Sequence, residues 1–150
     1  MARPFPLKTL LDLARDHSDE AGRKLAQLKI KWHEAEEKMH QLIAFREEYR
    51  NRLHLNTQTG IAMSAWREFQ SFMLKLDKAI ELQGDEVAKC KLRWEGGQRE
   101  WLEQQRKLKA FDTLSQRHHA KEAVREAKVE QKEQDEFAGK SVNSRKTGET

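Results

Sequence analysis

Taken in alternating steps of four and three from Leu7, the chain reads Leu7, Leu11, Ala14, Ser18, Ala21, Leu25, Leu28, Trp32, Ala35, Met39, Leu42, Arg46, Tyr49, Leu53, Asn56. Twelve of these fifteen are apolar or aromatic, and charge flanks them throughout. A seven-residue repeat sustained this long keeps one narrow stripe of a helix facing a partner helix, which is the pattern of a coiled coil. The run Asn56-Thr57-Gln58-Thr59-Gly60-Ile61 then concentrates turn formers and includes a φ-permissive glycine, so a bend is expected over 57–61. The stepping resumes at Ala62 and runs through Trp66, Phe69, Met73, Leu76, Ile80, Gln83, Val87, Cys90, Trp94, Gly97, Trp101, Gln104, Leu108 and Phe111 to Ser115 and His118. Its next positions are Glu122, Arg125 and Val129, so the apolar seam fades after Phe111. Residues 119–138 remain rich in good helix formers, whereas 139–150 carry Ser, Asn, Thr and Gly.

The fold expected is all-α: a long antiparallel two-helix coiled-coil hairpin over 1–138. Helix 1 spans about 7–56, the bend 57–61, helix 2 about 62–138, and a disordered tail 139–150. At 1.5 Å per residue the first helix is about 75 Å long and the second about 115 Å, so an overhang of roughly 30 Å protrudes from the open end. Facing residues of an antiparallel pair have numbers with a constant total. A total of 122 sets Trp32 against Cys90, Ala21 against Trp101, Gly97 against Leu25 and polar Ser18 against polar Gln104, so that large faces small. A total of 115 sets Ala21 against Trp94 and stays open. The Gly96-Gly97 pair is either a kink or room for a bulky neighbour.

Composition agrees with a thin core. Of the 150 residues 36% are charged and 37% hydrophobic, against roughly 25% and 45–50% in an ordinary soluble domain. The only prolines are Pro4 and Pro6, so helix is permitted for nearly the whole sequence. The net charge of +4 comes from 29 basic and 25 acidic residues, interleaved almost everywhere, which is weak support for nucleic acid and suits acidic protein or lipid partners loosely. Basic clusters at Arg23-Lys24 with Lys29 and Lys31, at Lys89-Cys90-Lys91-Leu92-Arg93 and at Arg106-Lys107 with Lys109 could each meet an acidic surface, but are read first as solubilising flanks of the seam. No apolar window long enough to span a membrane occurs, and Met-Ala-Arg-Pro-Phe-Pro lacks the apolar core of a signal peptide, so a cytoplasmic protein is expected.

Candidate chemistry is sparse. Glu37-x-x-His40 has the spacing of a di-iron half-site, but it occurs once and on the outer face of the seam. His118-His119 has no ligand cluster beside it. Cys90 is a seam position, where burial raises a thiol pKa and suppresses reactivity. There is no phosphate loop and no nucleophile spaced to meet a base, so neither enzyme activity nor a cofactor or metal is expected. One apolar feature exceeds the seam's needs. Phe72 and Ala79 widen the stripe beside Leu76 and Gln83, and an exposed face Phe72/Leu76/Ala79/Gln83 is expected unless Leu42 and Phe45 cover it.

Several short motifs, weak singly, occur in a specific order: Leu10-Leu11-x-Leu13-Ala14, Ala35-Glu36, Glu48-Tyr49-Arg50, Gly60-Ile61 followed by Trp66, Phe69 and Phe72, Lys78-Ala79-Ile80, and Glu130-Gln131-Lys132 ahead of Asp135-Glu136-Phe137-Ala138. From about Leu7 to Ala138 the chain resembles the FliJ family of the bacterial flagellar type III protein export apparatus. That resemblance implies a non-catalytic coiled coil, similar to the central stalk of rotary ATPases, which couples the export ATPase to the membrane export gate. It serves flagellum biogenesis and hence motility and chemotaxis. It implies three partners: a FliI-like ATPase hexamer, the cytoplasmic domain of a FlhA-like gate, and export chaperones. No nucleic acid is implied, and membrane association is peripheral, at the cytoplasmic face of the inner membrane through the apparatus. By position, Phe72, Leu76, Ala79 and Gln83 correspond to the gate contact, while Leu7, Leu10, Leu11, Ala14, Phe111 and Leu114 lie at the end placed in the ATPase ring. The competing reading is a self-associating structural or regulatory coiled coil.

Overall fold

A computed structural model of the chain describes residues 2–148. It contains helix α1, Lys8–Thr59, and helix α2, Met63–Thr147, with no strand among the described residues. The all-α two-helix hairpin expected from the repeat is the fold observed. The reversal is tighter and later than the turn-forming residues implied, comprising Gly60, Ile61 and Ala62. Thr59 Oγ1 donates to the Asn56 carbonyl at 3.1 Å, one of the carbonyls that a helix end leaves without an amide, so the polar run extends α1 instead of breaking it. Within this reversal Gly60 adopts φ 90°, a backbone conformation that residues with a side chain rarely take.

The residues group into two compact units, a hairpin unit of Asp19–Glu103 and a terminal unit formed by 2–18 with 104–148. In the hairpin unit the core is a single line of small and medium side chains: Ala21, Ala35, Leu76, Ile80 and Cys90 are buried. Small residues let the backbones approach, and bulky ones fill the gaps opposite. The Trp101 indole lies over Gly22, the Met39 methyl over Gly84, and Leu25 and Leu28 over Gly97. A Cβ at Gly97 would fall 2.6 Å from Leu28 Cδ1, so this glycine provides room for a neighbour while α2 stays helical through it. Gly97–Leu25, Gly22–Trp101, Gly84–Met39 and Arg46–Asp77 have numbers totalling 122 or 123, which selects the first register over 115.

One polar layer sits inside this line. Gln83, only 8% exposed, donates through Nε2 to the Ala35 carbonyl at 2.9 Å. Near the bend the seam becomes aromatic: Tyr49 packs on Phe69 and Phe72, with ring centres 5.1 and 4.5 Å apart, and Phe45 meets Phe72 edge-on at 6.1 Å.

The terminal unit is built differently. Leu11 and Ala14 continue the seam, and Ser18, 2% exposed, accepts a hydrogen bond of 2.8 Å from Gln105 Nε2, one residue along from the Gln104 expected opposite it. Before α1 the chain is not helical, since Pro4 and Pro6 fix φ and supply no amide hydrogens. This segment lies along α2. The Arg3 amide donates to Glu122 Oε2 at 3.3 Å, the Arg3 carbonyl lies 2.9 Å from His118 Nε2, and the Phe5 ring tilts onto His118 at 5.6 Å. The expected overhang therefore begins after Glu122 and not at Phe111, because an extended strap replaces a helical partner over these turns.

Helix α2 also continues to Thr147, past the end expected at Ala138. A single Gly139 costs about 1 kcal/mol relative to alanine, which the local backbone ladder absorbs, and Arg145 and Lys146 in the last turn suit the negative end of the helix dipole. The last two residues of the expected tail, 149 and 150, lie outside the described residues.

Candidate partner surfaces

Of the four residues expected on an exposed flank, the hairpin unit presents two. Phe72 is 37% exposed and Ala79 half-buried, but Leu76 (6%) and Gln83 are interior. The correction is physical: Leu76 and Gln83 are seam positions, and a seam that closes to the register observed buries them whatever stands beside them. Phe72 is partly covered by Phe45 and Tyr49, and Phe45 is itself exposed, so the two phenylalanines form one aromatic edge open to solvent. Arg46 reaches across to Asp77 at 3.4 Å beside this edge.

The six residues assigned to the other surface divide similarly. Leu7, Leu10 and Leu114 are exposed and Phe111 is half-buried, whereas Leu11 and Ala14 are used up in the unit's own core. The most exposed of the large apolar side chains of this unit stand further on, at Val124, Val129, Phe137 and Val142, with Phe137 at 76%. Nearly every residue of α2 beyond Glu122 is exposed.

Arg3, Phe5 and Glu122 were missed because the repeat counts apolar residues. Glu122 occupies a seam position in the stepping, and its charge reads as the seam's end. A carboxylate can instead fill that layer if an amide meets it, and the Pro-Phe-Pro segment supplies the amide of Arg3. That hydrogen bond, followed by nearby Arg125, holds the Glu122 carboxyl below the usual glutamate range.

The other candidate groups stand apart from these surfaces. Cys90 is buried, and burial first, then the Glu86 carboxylate 3.6 Å away, pushes its thiol pKa up, away from the reactive thiolate. Glu37 and His40 are exposed on α1. Among the described residues no three His, Cys, Asp or Glu side chains gather as metal ligands, and no helix is long and apolar enough to cross a membrane.

Side chains that pack, cap and pair, with apolar groups left over for contact, define the class: a two-helix coiled-coil protein. Comparison with known proteins then narrows the class. The family model described as flagellar FliJ protein matches residues 3–147. The flagellar FliJ protein of Salmonella typhi is 33% identical over 142 residues, covering 95% of this chain and 97% of that protein. That of Escherichia coli strain K12 is 31% identical over the same coverage. The chain belongs to the FliJ family, and as such is a component of the flagellar export apparatus.

Proposed function

We propose that this chain is a non-catalytic coupling element of that apparatus, joining an export ATPase to the export gate from the cytoplasmic face of the inner membrane and escorting export chaperones. The observation that carries the reading is the last part of α2, where Val124, Val129, Phe137 and Val142 stand exposed on a helix that the chain's own residues leave uncovered. Apolar side chains spread along an uncovered helix are what a partner helix or ring would bury. Leu7, Leu10 and Leu114, in the same unit, add further exposed apolar side chains. The gate contact reduces to the Phe72 edge with Ala79.

The test is binding of the full chain, and of a chain ending at Glu122, to the purified FliI-like ATPase of the same organism. Loss of binding on truncation, with helicity of the remainder retained, supports the reading; undiminished binding contradicts it. For the gate, Phe72→Asp is expected to abolish binding to the FlhA-like cytoplasmic domain, and unchanged binding removes that contact. A concentration-dependent dimer in sedimentation would favour the self-associating alternative.

A further inference from the structure

The longest run of the chain without charge falls at the bend of the hairpin. From Leu53 to Trp66 fourteen successive residues include no Asp, Glu, Lys or Arg, twice the length of the next such run, 39–45. Its only titratable side chain is His54. Carboxylates are absent over a longer stretch still, the nineteen residues 49–67, against thirteen in the next longest, 21–33. Folding gathers the run into a cap, since it ends α1, makes the reversal and begins α2. Leu55 and Met63 are 61% and 66% exposed there, Ala62 is exposed, and Ile61 and Trp66 are half-buried. The hydroxyls of the cap are bonded to the backbone of α1: Thr57 Oγ1 donates to the His54 carbonyl at 2.7 Å and Thr59 Oγ1 to the Asn56 carbonyl at 3.1 Å. A helix end completed in this way loses less on leaving bulk water. Behind the cap stand exposed Arg50, Arg52 and Arg67, about 6–14 Å back from the helix ends at Thr59 and Met63. Glu47, Glu48 and Glu68 each lie farther from the bend than the arginine they neighbour. Arg50 pairs with Glu47 at 3.4 Å and Arg52 with Glu48 at 2.8 Å, both exposed pairs of little energy, and Arg67 forms no ion pair among the described residues.

We infer that the bend of the hairpin docks end-on against an anionic lipid bilayer, with Leu55 and Met63 entering the headgroup layer. The order of layers from the bend backward, uncharged and apolar, then cationic, then anionic, matches the order met on leaving a bilayer. Apolar side chains at such an interface settle about 5–10 Å into the boundary between headgroups and acyl chains. At that depth the three arginines reach the lipid phosphates, and Trp66 lies at the level where tryptophan rings favour a membrane interface. A socket in a protein would call for an apolar tip but not for this ordering of charge behind it. The contact is with a surface, since among the described residues no helix is long and apolar enough to cross the bilayer. It is independent of the ATPase and gate contacts proposed above, which use none of these residues.

The test is co-sedimentation of the full-length protein with vesicles of phosphatidylcholine alone and of equimolar phosphatidylcholine and phosphatidylglycerol. Binding is expected to be stronger to the anionic vesicles and to fall as salt is raised. Each charge at such a surface changes partitioning by roughly a factor of five. L55D/M63D, which puts two carboxylates into the cap, is therefore expected to lose at least tenfold. L82D/L92D makes the same change of charge farther along α2, at positions 56% and 65% exposed, and is expected to bind like the unaltered protein. Circular dichroism checks that both variants remain helical. Undiminished binding of L55D/M63D, equal loss in the two variants, or no binding of the unaltered protein to anionic vesicles at low salt would each overturn the assignment. In the last case, loss of the FlhA-like domain by L55D/M63D would give the cap to a protein instead.

Discussion

The two units solve the same problem, burying a narrow stripe, by different means. Between Asp19 and Glu103 it is met with layers of one large and one small residue, Trp101 over Gly22 and Leu28 over Gly97, and one internal hydrogen bond from Gln83. In the terminal unit apolar layers give way to Ser18 with Gln105, buried Ser115, and Glu122 held by a backbone amide. The first device gives rigidity, because close packing offers no alternative arrangement. The second gives a region held by few polar contacts, followed by a stretch of helix whose residues are nearly all exposed. Regions with few buried apolar contacts open at low free energy, and that is where a partner can most readily be accommodated.

The sharpest way to break this contrast is Leu76→Ala. Leu76 is buried in the hairpin unit, so truncation is expected to cost about 2–4 kcal/mol, read as a lowered midpoint in denaturant. A neutral result would mean that this layer is not a packed core. Gln83→Ala is expected to cost about 1–2 kcal/mol through its lost buried hydrogen bond. Gln83→Leu should be nearly neutral in stability while loosening the choice of register, detectable by cross-linking between cysteines placed at alternative registers.

In the terminal unit the effects are smaller and local. Phe5→Ala should cost about 1 kcal/mol or less and be confined to the strap, with faster amide exchange around His118 and none at Cys90. Acid should act at the same place. A carboxyl whose folded pKa lies below its unfolded value contributes stability that is complete above the unfolded value and is lost as pH falls through the folded one. Glu122 is such a group, so the strap is held at neutral pH and released on acidification below the ordinary glutamate range. Glu122→Gln should flatten that dependence, as followed by the Arg3 amide resonance. Smallest of all, Phe137→Ser should change stability by less than about 0.5 kcal/mol, because its side chain touches little. A large effect there would show that α2 is covered where it stands exposed.

Much of this was legible in the seven-residue repeat. It gave the two helices, the register at Gly97–Leu25 and the interior place of Cys90, since each follows from which residues a narrow seam accepts. It misjudged the bend by three residues, because threonine hydroxyls can complete a helix end as well as break one. It placed Leu76 and Gln83 on a surface because a widened stripe in sequence does not tell which members the partner helix covers. The strap was invisible for another reason: its bonds to Glu122 and His118 come from the backbone of Arg3, and a backbone amide or carbonyl leaves no mark in a side-chain pattern.

The central claim is that the hairpin unit is complete in itself and that contact with the ATPase is made by the terminal unit. Hydrogen exchange across the full chain, alone and bound to the FliI-like ATPase of the same organism, tests it most directly. Protection gained over 123–147 and around Leu7 and Leu10, with Ala21, Ala35 and Cys90 unchanged, is the result expected. Protection confined to residues 19–103, or none gained beyond Glu122, would contradict it.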